Sequence, residues 1–324
     1  MERVLLSCGR IVVRTLAAGL NARAVSYTLD ECSNRPCNFI SVCCGFPKDF
    51  LFGPSTVRDP HSFGEDACFI AKHKMAHVVG VADGVGGWRD YGIDASSFSR
   101  SLMRACRELV ESGKFVPSSP AQLIAAAFEE LSRIRGGSSS DASDSQTEPI
   151  GSSTACVVVF DKATNQLHSA NLGDSGFLVV RGGRVVHRSQ EQCHYFNTPF
   201  QLSLPPANVS NCLSDSPEAA ETSSFCVREG DVVVLATDGL FDNLPTKMIE
   251  EAFRDVQVSD GASLQALCNS LALQARRLAF DRNHMSPFAR KARDFGFDDV
   301  TGGKPDDITI VLVLVTWDDL PPAD

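Results

Sequence analysis

Short apolar runs of strand length recur along this chain and alternate with segments of helical periodicity. The runs lie at residues 67–73, 75–83, 154–161, 166–174, 231–239 and 306–317. In residues 176–189, two β-branched runs meet at Gly182 and Gly183, which is typical of a hairpin with a two-residue turn. Strands that follow one another through such short turns pair antiparallel, so the pattern predicts mainly antiparallel sheets.

Helical periodicity appears in two pairs of segments. The predicted helices span residues 96–112 and 120–133, then residues 246–256 and 262–280. Strands in hairpin-like succession with helices inserted in pairs favour an α+β fold over a doubly wound parallel sheet. We therefore predict a central β-sandwich of mainly antiparallel strands flanked by pairs of helices.

Three segments carry no regular pattern. Residues 30–60 and 194–224 are rich in proline, and residues 136–149 are low in complexity and lack large apolar side chains. We expect all three to be irregular and the 136–149 segment to be a flexible insertion. Because no repeat or composition break divides the remainder, residues 40–318 are predicted to form one domain.

Composition excludes several classes of protein. The chain has 324 residues, of which 43% are hydrophobic, enough for a substantial core. A formal charge of −10 argues against a nucleic-acid partner, and no apolar run reaches the roughly 20 residues that span a bilayer. The 12 cysteines contain no CxxC pair and are interpreted as buried, reduced thiols. A monomer is favoured.

The first 30 residues have an unusual charge pattern. No acidic residue occurs between Arg3 and Leu29, and Arg3, Arg10 and Arg14 share one helix face by their spacing. Such an arginine-rich, acid-poor amphipathic segment is typical of a mitochondrial transit peptide. Residues 1–30 are therefore predicted to direct the protein to the mitochondrial matrix. An ordinary surface helix and a secretory signal are the alternatives.

Aspartates border four of the apolar runs. Asp83, Asp174 and Asp238 follow predicted strands, and Asp306 with Asp307 precedes the last one. A carboxylate at the end of a buried strand is costly unless water, a hydrogen bond or a metal satisfies it. If these ends converge, they form an oxygen-rich pocket suited to Mg²⁺ or Mn²⁺. This pattern indicates a metallohydrolase.

Six short motifs in order sharpen that interpretation. They are GEDA at 64–67, VADGVGGW at 81–88, GSSTA at 151–155, ANLGDSG at 170–176, TDGLFD at 237–242 and GGKPDDIT at 302–309. In this order the chain resembles the PPM family of metal-dependent serine/threonine protein phosphatases, and in particular its mitochondrial branch. The resemblance implies hydrolysis of phosphoserine and phosphothreonine on mitochondrial phosphoproteins by a metal-activated water.

The resemblance also implies the residues of the centre. Two Mg²⁺ or Mn²⁺ ions, with a possible third, would be held by Asp83 (bridging), the carbonyl of Gly84, Asp238, Asp306, Glu65, Asp66 and Asp174. Asp83 and Asp238 are the residues on which catalysis would depend. Asp307 stands where relatives carry asparagine, and is expected to accept hydrogen bonds rather than bind metal.

Two positions depart from the family pattern. Val85 replaces a histidine that would protonate the leaving group, and His61 replaces an arginine that would bind the substrate phosphate. Arg58 is the candidate to take over that phosphate contact. These departures keep open a catalytically weak, phosphatase-fold binding or regulatory protein. A phosphatase for small molecules or lipids is the third alternative.

Overall fold

Two antiparallel β-sheets lie at the centre of the structure, a computed structural model that describes residues 37–48, 61–136, 148–209, 212–254, 256 and 258–317. The strands are β1 Cys37–Phe46, β2 Ser62–Phe63, β3 Asp66–Lys72, β4 Ala76–Ala82, β5 Gly151–Ser153, β6 Ala155–Asp161, β7 Gln166–Leu172, β8 Gly176–Arg181, β9 Arg184–Arg188, β10 Cys193–Tyr195, β11 Thr198–Pro199, β12 Leu202–Leu204, β13 Glu221–Cys226, β14 Val232–Ala236 and β15 Ile308–Trp317. The helices are α1 Ser96–Glu111, α2 Pro120–Gly136, α3 Asp238–Phe241, α4 Thr246–Arg254, α5 Gly261–Ala279 and α6 Pro287–Asp294. Short 3₁₀ helices occupy Gly86–Tyr91 and Pro217–Ala219.

The strands form a β-sandwich with helices on both outer faces. One sheet has the order β1-β15-β14-β8-β9 and the other β13-β7-β6-β4-β3-β2, with antiparallel pairing throughout. Alternate side chains of both sheets, such as Val79, Phe160 and Val313, meet in an apolar layer between them. Helices α1 and α2 cover the second sheet, and α4 and α5 cover the first. The predicted α+β fold is confirmed.

Most elements lie where the sequence pattern placed them. Helix α1 lies within the predicted range and buries Phe98, Leu102 and Cys106, which share one face by their helical spacing. Gly182 and Gly183 form the predicted β8–β9 turn, both with positive φ (56° and 71°), a backbone conformation that glycine adopts without steric cost. Local sequence was sufficient for both, because the helix has a continuous apolar stripe and the turn has two glycines.

The expectation for residues 30–60 was wrong over Cys37–Phe46, which forms the ten-residue strand β1. Its sequence lacks strict alternation, and the strand is held by ten paired positions along β15, from Cys37 opposite Trp317 to Phe46 opposite Ile308. The expectation for residues 194–224 was also partly wrong, since β11, β12 and the start of β13 lie there. Long-range pairing, which local sequence does not reveal, creates these strands.

Several predicted features lie outside the described residues. They are the transit peptide at 1–30, Arg58, and residues 137–147 of the low-complexity insertion. Among the described helices, none combines the length and apolar character needed to cross a membrane. Cys68, Cys106 and Cys156 are buried and not disulfide-bonded, as expected, whereas Cys226 is disulfide-bonded, contrary to the interpretation of the cysteines as reduced.

Candidate active site

The acidic strand ends meet at one edge of the sandwich because of the strand register. In the second sheet, Ala67 pairs with Ala82, so the start of β3 and the end of β4 lie side by side. In the first sheet, Ala236 at the end of β14 pairs with Ile310 near the start of β15. Antiparallel pairing therefore brings residues that are far apart in sequence to the same end of both sheets.

Three of the predicted carboxylates converge. One oxygen each of Asp83, Asp174 and Asp238 lies within 4.8 Å of the others. Asp238 is only 5% exposed, and Asp174 Oδ1 and Asp238 Oδ1 are buried without a hydrogen-bond partner. Buried carboxylate oxygens without donors carry a desolvation cost, and a bound cation would remove it.

The acids at this edge raise one another's pKa values. Burial, followed by the charge of Asp238, holds the pKa of Asp83 and Asp174 well above that of a free aspartate. Burial and Asp307 do the same for Asp66, and burial raises the pKa of Asp307 to about 6. Full ionisation of these carboxyls would therefore place more negative charge here than the protein alone stabilises, as expected of a cation site.

The backbone around Asp83 is held by two of the sequence motifs. Thr154 Oγ1 accepts a hydrogen bond from the Asp83 amide at 3.0 Å and contacts Ser175 Oγ at 2.8 Å, while the Thr154 amide donates to the Asp83 carbonyl at 3.0 Å. At Gly84, an added Cβ would lie 2.5 Å from the carbonyl oxygens of Glu65 and Ala95. Glycine is required at position 84 by this close approach of three backbone segments.

A second hydrogen-bond set joins the two sheets beneath the acids. Thr237 Oγ1 donates to Asp66 Oδ2 at 2.8 Å and accepts from the Thr309 amide at 3.1 Å. The Asp307 carboxylate accepts the amides of Lys48 at 2.6 Å and Glu65 at 2.7 Å. Asp307 thus accepts hydrogen bonds, and its side chain fixes the segment that carries Glu65 and Asp66.

Lys304 is one residue of this site that sequence reasoning missed. Its ammonium group contacts Asp238 and lies 2.9 Å from Asp242 and 3.3 Å from Asp306. Burial alone would lower its pKa, but the three carboxylates outweigh that effect and raise the pKa well above the usual value. Asp242, the last residue of the TDGLFD motif, is therefore part of the site. A lysine in the GGKPDDIT motif was the available signal.

Glu65 faces two further cations. Its carboxylate lies 2.7 Å from Lys48 Nζ and 2.6 Å from Arg89 Nε, and Lys48 Nζ is also 3.7 Å from Asp306. Val85, at the position of the missing histidine, lines a neighbouring cavity of about 190 Å³ with Trp88 and other residues. Positive side chains thus surround the acids on two sides.

The predicted site residues fall into three groups by position. The convergent group is Asp83, Asp174 and Asp238; the flanking group is Gly84, Glu65, Asp66 and Asp306; and Arg58 lies outside the described residues. All side-chain donors of the first two groups are carboxylate oxygens, which suits hard divalent cations such as Mg²⁺ and Mn²⁺. The oxygens of Asp174 and Asp238 that lack a hydrogen-bond partner are suited to contact such a cation.

Comparison with known proteins agrees with this geometry. A family model described as stage II sporulation protein E (SpoIIE) matches residues 74–315. Protein phosphatase PTC7 homolog of Xenopus laevis is 49% identical over 311 residues, 96% of this chain and 97% of that protein. The homologue of Homo sapiens has the same identity and the same coverage.

A solved structure extends the likeness to the fold. The photosystem II phosphatase PBCP is 27% identical, with a TM-score of 0.68 over 86% of this chain and 99% of that one. Fold and acidic centre together define a phosphatase of the PP2C class. The chain belongs to the PPM family, the PP2C-type serine/threonine protein phosphatases, which includes the PTC7 homologues. The family resemblance and the predicted protein phosphatase activity are confirmed.

Proposed function

We propose that this phosphatase acts on phosphoserine and phosphothreonine of mitochondrial proteins and depends on Mg²⁺ or Mn²⁺ at the acidic centre. The observation that supports this most directly is the convergence of Asp83, Asp174 and Asp238 within 4.8 Å at one edge of the sandwich. Three carboxylates this close together repel one another, and bound cations would balance their charge.

The proposed ligands are those of the sequence-based prediction. Two ions would be held by Asp83, the Gly84 carbonyl, Asp238, Asp306, Glu65 and Asp66, and a third by Asp174 with Asp238. When bound, such cations supply charge that lowers the pKa of water and neutralises phosphoryl oxygens. Asp83 and Asp238 are the residues on which turnover should depend most.

The chain's own cations would receive the substrate. Lys304 keeps its proton at neutral pH, because three carboxylates hold its pKa high, and its ammonium group lies at the acidic edge. It can donate N–H hydrogen bonds to phosphate oxygens, a role that the family pattern gives to an arginine where this chain has His61. Arg58 remains the second candidate for a phosphate contact. Lys304 and Arg58 would together supply positive charge to the substrate phosphate, although Val85 and His61 depart from the family pattern.

The mitochondrial part of the proposal depends on the N-terminal pattern. The acid-free, arginine-bearing stretch up to Leu29 supports cleavage of a transit peptide within residues 1–30 and residence in the matrix. We further propose that residues 40–318 act as a monomeric phosphatase domain without a nucleic-acid partner.

The test uses purified full-length chain and phosphoserine and phosphothreonine peptides. Asp83→Asn and Asp238→Asn should each lower kcat by about 10³-fold, the scale set by removal of one group from an electrostatic centre. Both should also weaken Mn²⁺ binding measured by calorimetry. Replacing one of several crowded carboxylates should not lower the melting temperature of the metal-free chain.

Asp90→Asn is the matched control, because Asp90 is an exposed acid in the same loop. It should leave both kcat and Mn²⁺ affinity unchanged. Near-normal turnover by Asp83→Asn with Mn²⁺ still bound would contradict the proposed centre. Absence of hydrolysis by the unaltered chain with either metal would favour the binding or regulatory alternative, and faster turnover of sugar phosphates would favour a small-molecule phosphatase.

A further inference from the structure

A second set of ligand atoms, chemically unlike the acidic centre, lies beside it in the sandwich. Cys43 Sγ, His61 Nδ1 and Cys68 Sγ all lie within 4.8 Å of one another. They come from three segments: Cys43 from β1, His61 from the turn before β2, and Cys68 from β3. We call this group the thiol–imidazole cluster.

The two nitrogen–sulfur distances within the cluster are close to those of a tetrahedral metal site. His61 Nδ1 lies 3.5 Å from Cys43 Sγ and 3.9 Å from Cys68 Sγ. A zinc ion with bonds of about 2.3 Å to sulfur and about 2.0 Å to nitrogen would set its ligands about 3.5 Å apart for S and N. Both sulfurs approach the same ring nitrogen, which has a single lone pair or a single N–H. One ion shared by the two sulfurs and the ring nitrogen would account for both contacts at once.

We propose that the thiol–imidazole cluster binds a borderline-soft divalent cation of the zinc class through two thiolates and one imidazole, with a fourth position for water. Sulfur and nitrogen donors select such ions, whereas the carboxylates of the neighbouring centre select hard ones. Cys68 is buried, and Cys43 and His61 are partly exposed, so an ion has a route of entry.

The position of the cluster suggests what the ion would do. Cys68 follows Asp66 by two residues on β3, so both side chains point to the same face of the strand. The Cys68 amide also donates to the His61 carbonyl at 2.9 Å. A bound ion would join β1, the turn and β3, and thereby hold the short segment that carries Glu65 and Asp66.

The experiment uses the full chain, prepared with a reductant and saturated with Mg²⁺ so that the oxygen ligands are occupied. After exposure to Zn²⁺ and desalting, elemental analysis should find about one zinc per chain, as a structural site predicts. Co²⁺ in place of Zn²⁺ should produce thiolate-to-metal charge-transfer absorption and intense tetrahedral d–d bands. The carboxylate centre gives neither, so the spectrum reports the cluster independently of phosphatase activity.

Cys68→Ser and His61→Ala should abolish the Co²⁺ spectrum and weaken Zn²⁺ binding by more than the roughly 10–100-fold that loss of an outer-shell partner costs. Cys106→Ala, which removes a buried free thiol from α1, is the matched control and should leave both readouts unchanged. The Co²⁺ spectrum of the unaltered chain shows whether the cluster binds metal even if a variant fails to fold. Absence of the charge-transfer band, or zinc retained equally by all variants, overturns the proposal.

Discussion

A single lysine changes the electrostatics of the acidic edge. Lys304 contacts Asp238 and lies close to Asp242 and Asp306, and its ammonium group is 5.3 Å from the centre of the Phe288 ring. Its backbone is held by Asn243, whose side chain bonds both the amide and the carbonyl of residue 304 at 2.9 Å. Because the Asn243 side chain fixes the backbone of Lys304, the ammonium group is held in one position. This favours a functional cation over a mobile surface lysine.

Replacing this lysine should affect turnover and metal affinity in opposite directions. Lys304→Met removes a cation from the acids, so Mn²⁺ should bind about 10-fold more tightly by the Coulomb contribution of one nearby charge. Loss of a donor to the substrate phosphate should lower kcat by about 10²-fold. Calorimetry and phosphopeptide kinetics measure the two effects, with the exposed Lys74→Met as control. Unchanged kcat would show that Lys304 does not contact substrate.

His77 is a residue whose burial links pH to stability. It is 1% exposed between the sheets, where it contacts Ser41 Oγ at 3.0 Å, and burial with the charges of Lys72 and Lys162 lowers its pKa to about 3. The unfolded chain, with a pKa near 6.5, binds the proton more readily. Between these two values acidification therefore favours unfolding.

We expect this group to destabilise the fold by up to about 1.4 kcal/mol per pH unit as pH falls from 6.5 towards 3. His77→Leu should lack that contribution while keeping the contributions of the carboxylates. Chemical denaturation of both proteins at several pH values measures the difference in slope. Parallel pH dependence of the two unfolding free energies would mean that His77 is not held neutral.

At the scale of elements, the loop after β4 is fitted tightly to its neighbours. Trp88 Nε1 donates to Ser152 Oγ at 2.7 Å, and Ser152 Oγ donates to Gln201 Oε1 at 2.9 Å. Gly84, in the same loop as Trp88, packs against the backbone of Glu65 and Ala95. The DGVGGW and GSSTA motifs and the residues before β12 therefore act as one packed unit that positions Asp83.

Two glycines of this loop provide a matched test. Gly84→Ala places a Cβ 2.5 Å from two carbonyl oxygens, so the loop must shift, at a cost of about 1–3 kcal/mol. It should lower both the melting temperature and kcat. Gly87→Ala adds a Cβ with nothing within 4 Å and should change neither. Equal effects of the two substitutions would show that backbone approach at position 84 is unimportant.

At the scale of the whole molecule, the sandwich explains how distant motifs form one centre. The apolar layer between the sheets sets their separation, and the hydrogen bond from Thr237 to Asp66 links the two sheets at the acidic edge. The site is thus built on strand ends of a rigid core, which keeps like charges close together at the expense of stability.

The predicted mitochondrial location depends on the N-terminal segment and can be tested with the full-length chain. Deleting residues 2–25 removes Arg3, Arg10, Arg14 and Arg23 with the amphipathic pattern. The truncated chain, fused to a fluorescent protein, should remain in the cytosol, whereas the full chain should enter mitochondria. A chain of four Arg→Gln substitutions at the same positions serves as a second variant. Mitochondrial import of both variants would contradict the prediction that residues 1–30 are a transit peptide.

The amino-acid sequence by itself determined the elements with strong local signals and the acids at their ends. The apolar runs ending at Asp83, Asp174 and Asp238, the helices α1 and α5, and the Gly182–Gly183 turn follow from short-range periodicity and turn chemistry. The ordered motifs added the family and its activity, because six weak patterns in one order are specific together.

Only the tertiary structure decided which side chains meet. Strand β1 exists through its pairing with β15, 270 or more positions away in most pairs, and no local pattern marks it. Lys304 among three carboxylates and the thiol–imidazole cluster likewise depend on register and on packing between segments. The physical reason is that periodicity reports only which face of an element is apolar. Pairing across the sandwich then sets the distances, charges and burial from which the chemistry follows.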